Sequence, residues 1–145
     1  MWFILFASLL IISLCVMIHY EMLYRLSRLN ILLNIPGRYR VTASVLVALV
    51  AHTVETWLFG IGYYLITEHS SVNHLVNESG EIITGFFNCL YFSFATYTSL
   101  GYGDIVPLGP IQFMAGTEAL VGLVFIAWSA SFLYIEMQKH WKNIK

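Results

Sequence analysis

Thr98-Ser99-Leu100-Gly101-Tyr102-Gly103-Asp104 is the stretch on which the reading of this chain turns. It follows a charge-free apolar run, about 82–98, and holds two glycines one residue apart, Gly101 and Gly103. Each glycine disfavours helix by about 1 kcal/mol relative to alanine, so the preceding run does not continue through it without cost. Glycine instead admits backbone at positive φ. A loop that alternates right- and left-handed conformations points successive carbonyls the same way. Such backbone is tolerated at membrane depth only where it is buried in protein or lines a watery cavity.

The rest of the chain supplies the membrane. Of 145 residues, 59% are hydrophobic and 10% charged, where a soluble domain carries roughly 25% charged. Three runs are long enough to cross a bilayer, which takes about 20 helical residues. They are Trp2 to His19, about Val41 to Thr67 (containing His52 and Glu55), and about Ile111 to Met137 (containing Glu118 and Glu136). The run 82–98 is too short to cross comfortably and reads as re-entrant. The expected fold is therefore an all-α membrane protein with three transmembrane helices, a re-entrant helix and an irregular loop. The expected divisions are an N-terminal span at 1–23 and a cytoplasmic interfacial amphipathic linker at 24–40. A larger module follows at 41–137, then a short basic tail at 138–145. Within the module the outer helix is 41–67, the outer loop 68–81, the re-entrant helix 82–98, the irregular loop 99–104 and the inner helix 110–137. The first run lacks a basic leader and a small-residue cleavage site, so it is read as a permanent helix.

Charge orients these segments. Arg25, Arg28, Arg38 and Arg40 lie between the first two spans, and Lys139, Lys142 and Lys145 follow the third. All seven fall on one side if 82–98 is re-entrant, and the positive-inside rule makes that side cytoplasmic. The expectation is a multi-pass protein of the cell (inner or plasma) membrane with its N-terminus outside. A net charge of −1 gives no case for nucleic acid. Cys15 and Cys89 match no metal or disulfide spacing and read as small buried hydrophobes.

Thr96-Tyr97-Thr98-Ser99-Leu100-Gly101-Tyr102-Gly103-Asp104 resembles the signature of potassium-channel pores, T-x-T-T-V-G-Y-G-D. Asp104-Ile105-Val106-Pro107 continues it as the family's frequent G-D-x-x-P. The resemblance covers about 41–137 and leaves 1–40 outside. It implies a tetramer whose stacked rings of carbonyl oxygens replace the hydration shell of K+. The carbonyls of Ser99, Leu100, Gly101 and Tyr102, with the Ser99 hydroxyl, would bind K+, and Gly103 would complete the filter. Thr98 would sit at its base. Tyr102 would pack against pore-helix aromatics, with Tyr91 and Phe92 where the family often has an aromatic pair. Asp104 would make a supporting hydrogen bond behind the filter. Two positions depart from the pattern: Ser99 replaces Thr, and Leu100 replaces Val or Ile. Both bear on the degree of selectivity.

In the third span Val124, Ala127 and Ser131 recur at i, i+3 and i+7, a face the family spacing assigns to the inner cavity. Gly122 lies beside the family's hinge position, and hinge and close packing are both open there. His52, Glu55 and Glu118 are ionisable groups deep in spans, where burial is expensive. His52 and Glu55 share a helix face, and Glu118 meets them if the second and third spans pack antiparallel. A structural polar cluster, a proton-sensitive gating element and a metal site are the open readings. No role is assigned to His19.

The function these residues imply is passive K+ conduction by a homotetramer in a lipid bilayer, with K+ as permeant ion, no cofactor and no enzyme activity. The alternatives are a weakly selective cation channel and a non-conducting pore-fold subunit that modulates an unidentified partner through its first span. An intramembrane enzyme using His52 and Glu55 is the least supported, since no nucleophile is positioned.

Overall fold

The computed structural model describes residues 1–32 and 36–141. Three helices carry it: α1 (Trp2–Leu32), α2 (Gly37–His69) and, after a short α3 (Phe86–Tyr97), α4 (Ile111–Trp141). α1, α2 and α4 are each long and apolar enough to cross a membrane, and the chain is an all-α membrane protein with one small sheet. At 12 residues α3 is about 18 Å long, well short of a hydrocarbon core of about 30 Å.

α1 corrects the expected end of the first span at residue 23 and most of the linker at 24–40. No glycine or proline interrupts Trp2–Leu32, so nothing stops the helix there. Cys15, His19, Leu23, Leu26 and Asn30 form one buried stripe at helical spacing, and Arg25 pairs with Glu21 one turn back at 2.6 Å. α2 likewise starts at Gly37, four residues early, where the Pro36 carbonyl accepts from the Tyr39 and Arg40 amides. Proline has no amide to satisfy and its φ is preset, which suits a helix start. Residues 33–35 of the expected linker, and Lys142 and Lys145 of the expected tail, lie outside the described residues.

The re-entrant helix is also shorter than the expected 82–98. Gly85 at φ 103 breaks the chain before Phe86, and the β-branched Ile82–Ile83 become a strand, β2. β2 pairs with β1 (His74–Asn77) inside the expected outer loop, and β1 pairs with β3 (Ile105–Leu108), all antiparallel in the order β2-β1-β3. The Asn77 side chain closes the β1–β2 turn by accepting from the Ser79 and Glu81 amides. Pro107 is accommodated because β3 is an edge strand. The sheet ties the segment after the filter motif to the outer loop, and Asn73 anchors the start of α4 by accepting from the Ile111 amide at 2.9 Å.

α1 runs antiparallel to α2 and parallel to α4. Met1 and Ile4 share crevices with Gly109 and Phe113 and with Ile66 and His69, while His19 lies beside Glu55 and Ser129. The core joins Cys15, Phe59, Tyr63, Cys89, Phe92, Met114 and Phe125, and both cysteines are free and buried. Between helices in lipid the hydrophobic effect offers little, and close packing and interhelical hydrogen bonds do the holding. Small residues provide the packing. A Cβ at Gly62 would stand 2.7 Å from Ile11 and Met114, and one at Gly122 would run into the backbone carbonyl of Tyr97. Gly122 thus marks where the end of α3 rests directly on α4.

Gly122→Ala should cost about 1–3 kcal/mol and lower the thermal midpoint of the detergent-solubilised protein by several degrees. Gly116→Ala, with no atom within 4 Å, should stay near wild type. Equal midpoints for the two variants would contradict the close approach of α3 to α4.

Candidate functional site: the loop after the short helix and its buried supports

The loop begins by closing off the C-terminus of α3. The Ser99 amide donates to the Thr96 carbonyl at 2.9 Å, and the Leu100 and Gly101 amides both donate to the Ala95 carbonyl, at 3.0 and 3.1 Å. The Thr98 hydroxyl returns to the Phe94 carbonyl at 2.8 Å. Orphan carbonyls at a helix end need such donors, and here the amides that answer them belong to the loop. Positive φ then recurs at every second residue: Ser99 at 57°, Gly101 at 49° and Gly103 at 84°. For Ser99 this left-handed conformation costs about 1–2 kcal/mol. Among the described residues no hydrogen bond reaches the carbonyl oxygens of Ser99, Leu100, Gly101, Tyr102 or Gly103. A run of five carbonyls without protein donors is costly unless water or a cation meets them.

Aromatic and acidic side chains support the loop. Tyr102 stacks on Tyr91, with ring centroids 6.4 Å apart and planes within 5°. The Tyr91 hydroxyl donates to Asp104 at 2.8 Å, and the other Asp104 oxygen accepts from the Ile105 amide at 3.1 Å. Phe92 lines the same small crevice as Gly101, Tyr102 and Gly103 and is itself buried against Tyr63, edge to face at 4.9 Å. Of the expected aromatic pair, Tyr91 bonds and stacks beside the loop, and Phe92 packs between that crevice and the core.

Two buried polar nodes hold α3 from behind. In the first, the Tyr63 hydroxyl donates to Glu118 at 2.5 Å, and Ser93 lies 2.5 Å from the other Glu118 oxygen and 2.7 Å from the Thr56 carbonyl. In the second, Glu55 is fully buried. One of its oxygens meets His19 Nδ1 at 2.8 Å, and the other takes the Tyr97 hydroxyl and lies 3.2 Å from His52 Nδ1. Ser129 Oγ faces His19 Nε2 at 3.3 Å and His52 Nε2 at 3.1 Å.

The structure brings His52 and Glu55 together but leaves Glu118 apart from them. Ser129 reaches the histidines instead. It lies eleven residues beyond Glu118, about 16 Å along the helix. Sequence reasoning passed over His19, Tyr97, Ser129, Tyr63 and Ser93. For His19 the missed signal was the buried stripe through Cys15, Leu23 and Leu26, which places it in mid-helix. Val124, Ala127 and Ser131 are exposed on the face of α4 away from Phe125 and Ser129.

With this geometry in view, comparison with known proteins is informative. The model of a family described as "Ion channel" matches residues 51–139. The chain belongs to this family of potassium-channel-like pores. The match takes in most of α2, the sheet, α3, the filter loop and most of α4, and begins after α1. No curated protein and no solved structure matches this channel chain.

The pattern at Glu118 asks for an acceptor toward Tyr63 and a group toward Ser93 that shares its single proton. A carboxamide supplies both. Glu118→Gln should therefore keep thermal stability within about 1 kcal/mol of wild type. Glu118→Ala strands the Tyr63 hydroxyl, while Ser93 keeps the Thr56 carbonyl, and should cost about 1–3 kcal/mol. Melting curves of the two purified variants check this, and equal losses would contradict it.

Proposed function

We propose that the chain is one subunit of a homotetrameric K+-selective channel that conducts passively. The observation that carries this reading is the run of five undonated carbonyls on a loop with positive φ at Ser99, Gly101 and Gly103. Four such loops around an axis form rings of oxygen dipoles, which replace the water around K+. Ser99, Leu100, Gly101 and Tyr102 supply the ion-binding carbonyls, Gly103 completes the filter, and Tyr91 and Asp104 brace it. A single loop encloses nothing, so the ring requires other copies. The exposed apolar side chains fit that requirement: Phe94, Leu100, Tyr102, Leu120 and Val124 are 37–66% exposed on one chain and are available to neighbouring copies.

α4 lines the inner cavity through Val124, Ala127 and Ser131, and the C-terminal end of α3 favours a cation there. Among the described residues Arg25, Arg28, Arg38, Arg40 and Lys139 lie at the end opposite the sheet. The positive-inside rule makes that end cytoplasmic and leaves the N-terminus outside.

Flux from K+-loaded liposomes tests the reading. Wild type should pass K+ far faster than Na+, with block by Ba2+. Gly101→Ala and Gly103→Ala, each forcing a side chain onto left-handed backbone, should abolish selective flux while membrane insertion persists. Tyr91→Phe, which removes only the bond to Asp104, should lower the K+ over Na+ preference without ending conduction. Equal K+ and Na+ flux in wild type would instead support a weakly selective filter, and normal K+ flux through both glycine variants would defeat the assignment.

A further inference from the structure

The second polar node contains more than a brace requires. We propose that His19, His52, Glu55 and Tyr97 form a tetrahedral site for a divalent transition cation of the zinc class. One ligand atom each from His19, His52 and Glu55 lie within 4.8 Å of one another. The Tyr97 hydroxyl bonds to Glu55 and stands 2.9 Å from His52 Nδ1. Four donors from α1, α2 and α3 thus converge on one point. Zinc takes nitrogen and oxygen ligands at about 2.0–2.2 Å in a tetrahedron, which sets neighbouring ligand atoms about 3.4 Å apart. The three printed contacts, 2.8 Å from His19 to one Glu55 oxygen, 3.2 Å from His52 to the other and 2.9 Å from His52 to Tyr97, lie within about half an ångström of that spacing, and the His19, His52 and Glu55 ligand atoms all fall within 4.8 Å of one another.

The layer around these ligands suits a metal. An imidazole that ligates through Nδ1 carries its hydrogen on Nε2, so two such rings present two N–H donors. Both Nε2 atoms face the same Ser129 hydroxyl oxygen, which has two lone pairs and accepts both. Outer-layer partners that fix ring orientation are a regular feature of histidine metal sites. Phe125 and Trp128 add walls, with ring centroids 4.7 and 5.0 Å from His19.

Two imidazoles favour zinc-like ions over Mg2+, Ca2+ or K+, which prefer all-oxygen shells. Glu118 takes no part, since Tyr63 and Ser93 occupy it. His52 is the partly exposed member, with 18% of its side chain accessible, and offers the approach. An ion here would clip α1 and α2 to Tyr97, the residue that leads into Thr98. The proposal does not depend on what the pore conducts.

The probe is Co2+ added to the purified full chain in detergent, with Zn2+ as competitor. Wild type should develop the intense visible absorption of tetrahedral Co2+, lost on adding Zn2+, and should retain one Zn2+ per chain by elemental analysis. His19→Gln should abolish the band and weaken Co2+ binding at least 100-fold. Ser129→Ala should keep the band but weaken binding about 10–100-fold. His74→Gln, in the outer loop, should change neither. Circular dichroism confirms that each variant is folded, and His52→Gln replaces His19→Gln if the latter fails to fold. No tetrahedral band in wild type, or a band that survives both His19→Gln and His52→Gln, would overturn the site.

Discussion

A backbone carbonyl at membrane depth has no water to turn to unless the protein brings water or an ion to it. Five consecutive carbonyls, from Ser99 to Gly103, accept no hydrogen bond among the described residues, while the Ser99, Leu100 and Gly101 amides are taken up by the end of α3. The rest of the chain is arranged around keeping this loop in a conformation it would not hold alone. Ser99 bears positive φ without being glycine, a strain of about 1–2 kcal/mol that local hydrogen bonds to Thr96 and Ala95 offset.

The supports act on both ends of the loop. Below it, Tyr97 is bound to Glu55, and Ser93 sits between Glu118 and the Thr56 carbonyl. Above it, the three-stranded sheet and the Asn73–Ile111 bond fix where the chain leaves. Beside it, Tyr91 reaches both the Tyr102 ring and the Asp104 carboxylate. Interhelical hydrogen bonds in membranes are worth about 0.6–2 kcal/mol each. No single one secures α3, and the two buried nodes together join it to α1, α2 and α4. Because lipid supplies little force between helices, these nodes and the glycine contacts at Gly60, Gly62 and Gly122 carry a larger share than they would in a soluble core.

α1 lies outside the matched family region yet reaches the filter's support through one side chain, His19. That link connects a helix outside the matched region to the residue preceding Thr98. Arg25, paired with Glu21, extends the same helix toward the basic end.

The spans, the re-entrant run and the filter motif were legible in the sequence because each depends on local rules: apolar length, the scarcity of charge, and glycine spacing. The sequence by itself also determined that His52 and Glu55 share a face, since four residues of helix settle that. Tertiary structure decided the rest. The lack of any glycine or proline in 2–32 left the end of α1 open to the sequence, and the burial of Leu26 and Asn30 belongs to the packed chain. Strands of two and four residues carry too little periodicity to read, and β3 exists only by pairing with β1 from the far side of α3 and the loop. The partners of Glu55 and Glu118 were fixed by the relative axial offset of four helices. A shift of one turn, about 5.4 Å, exchanges one set of side chains for another, and only the packed chain sets that offset.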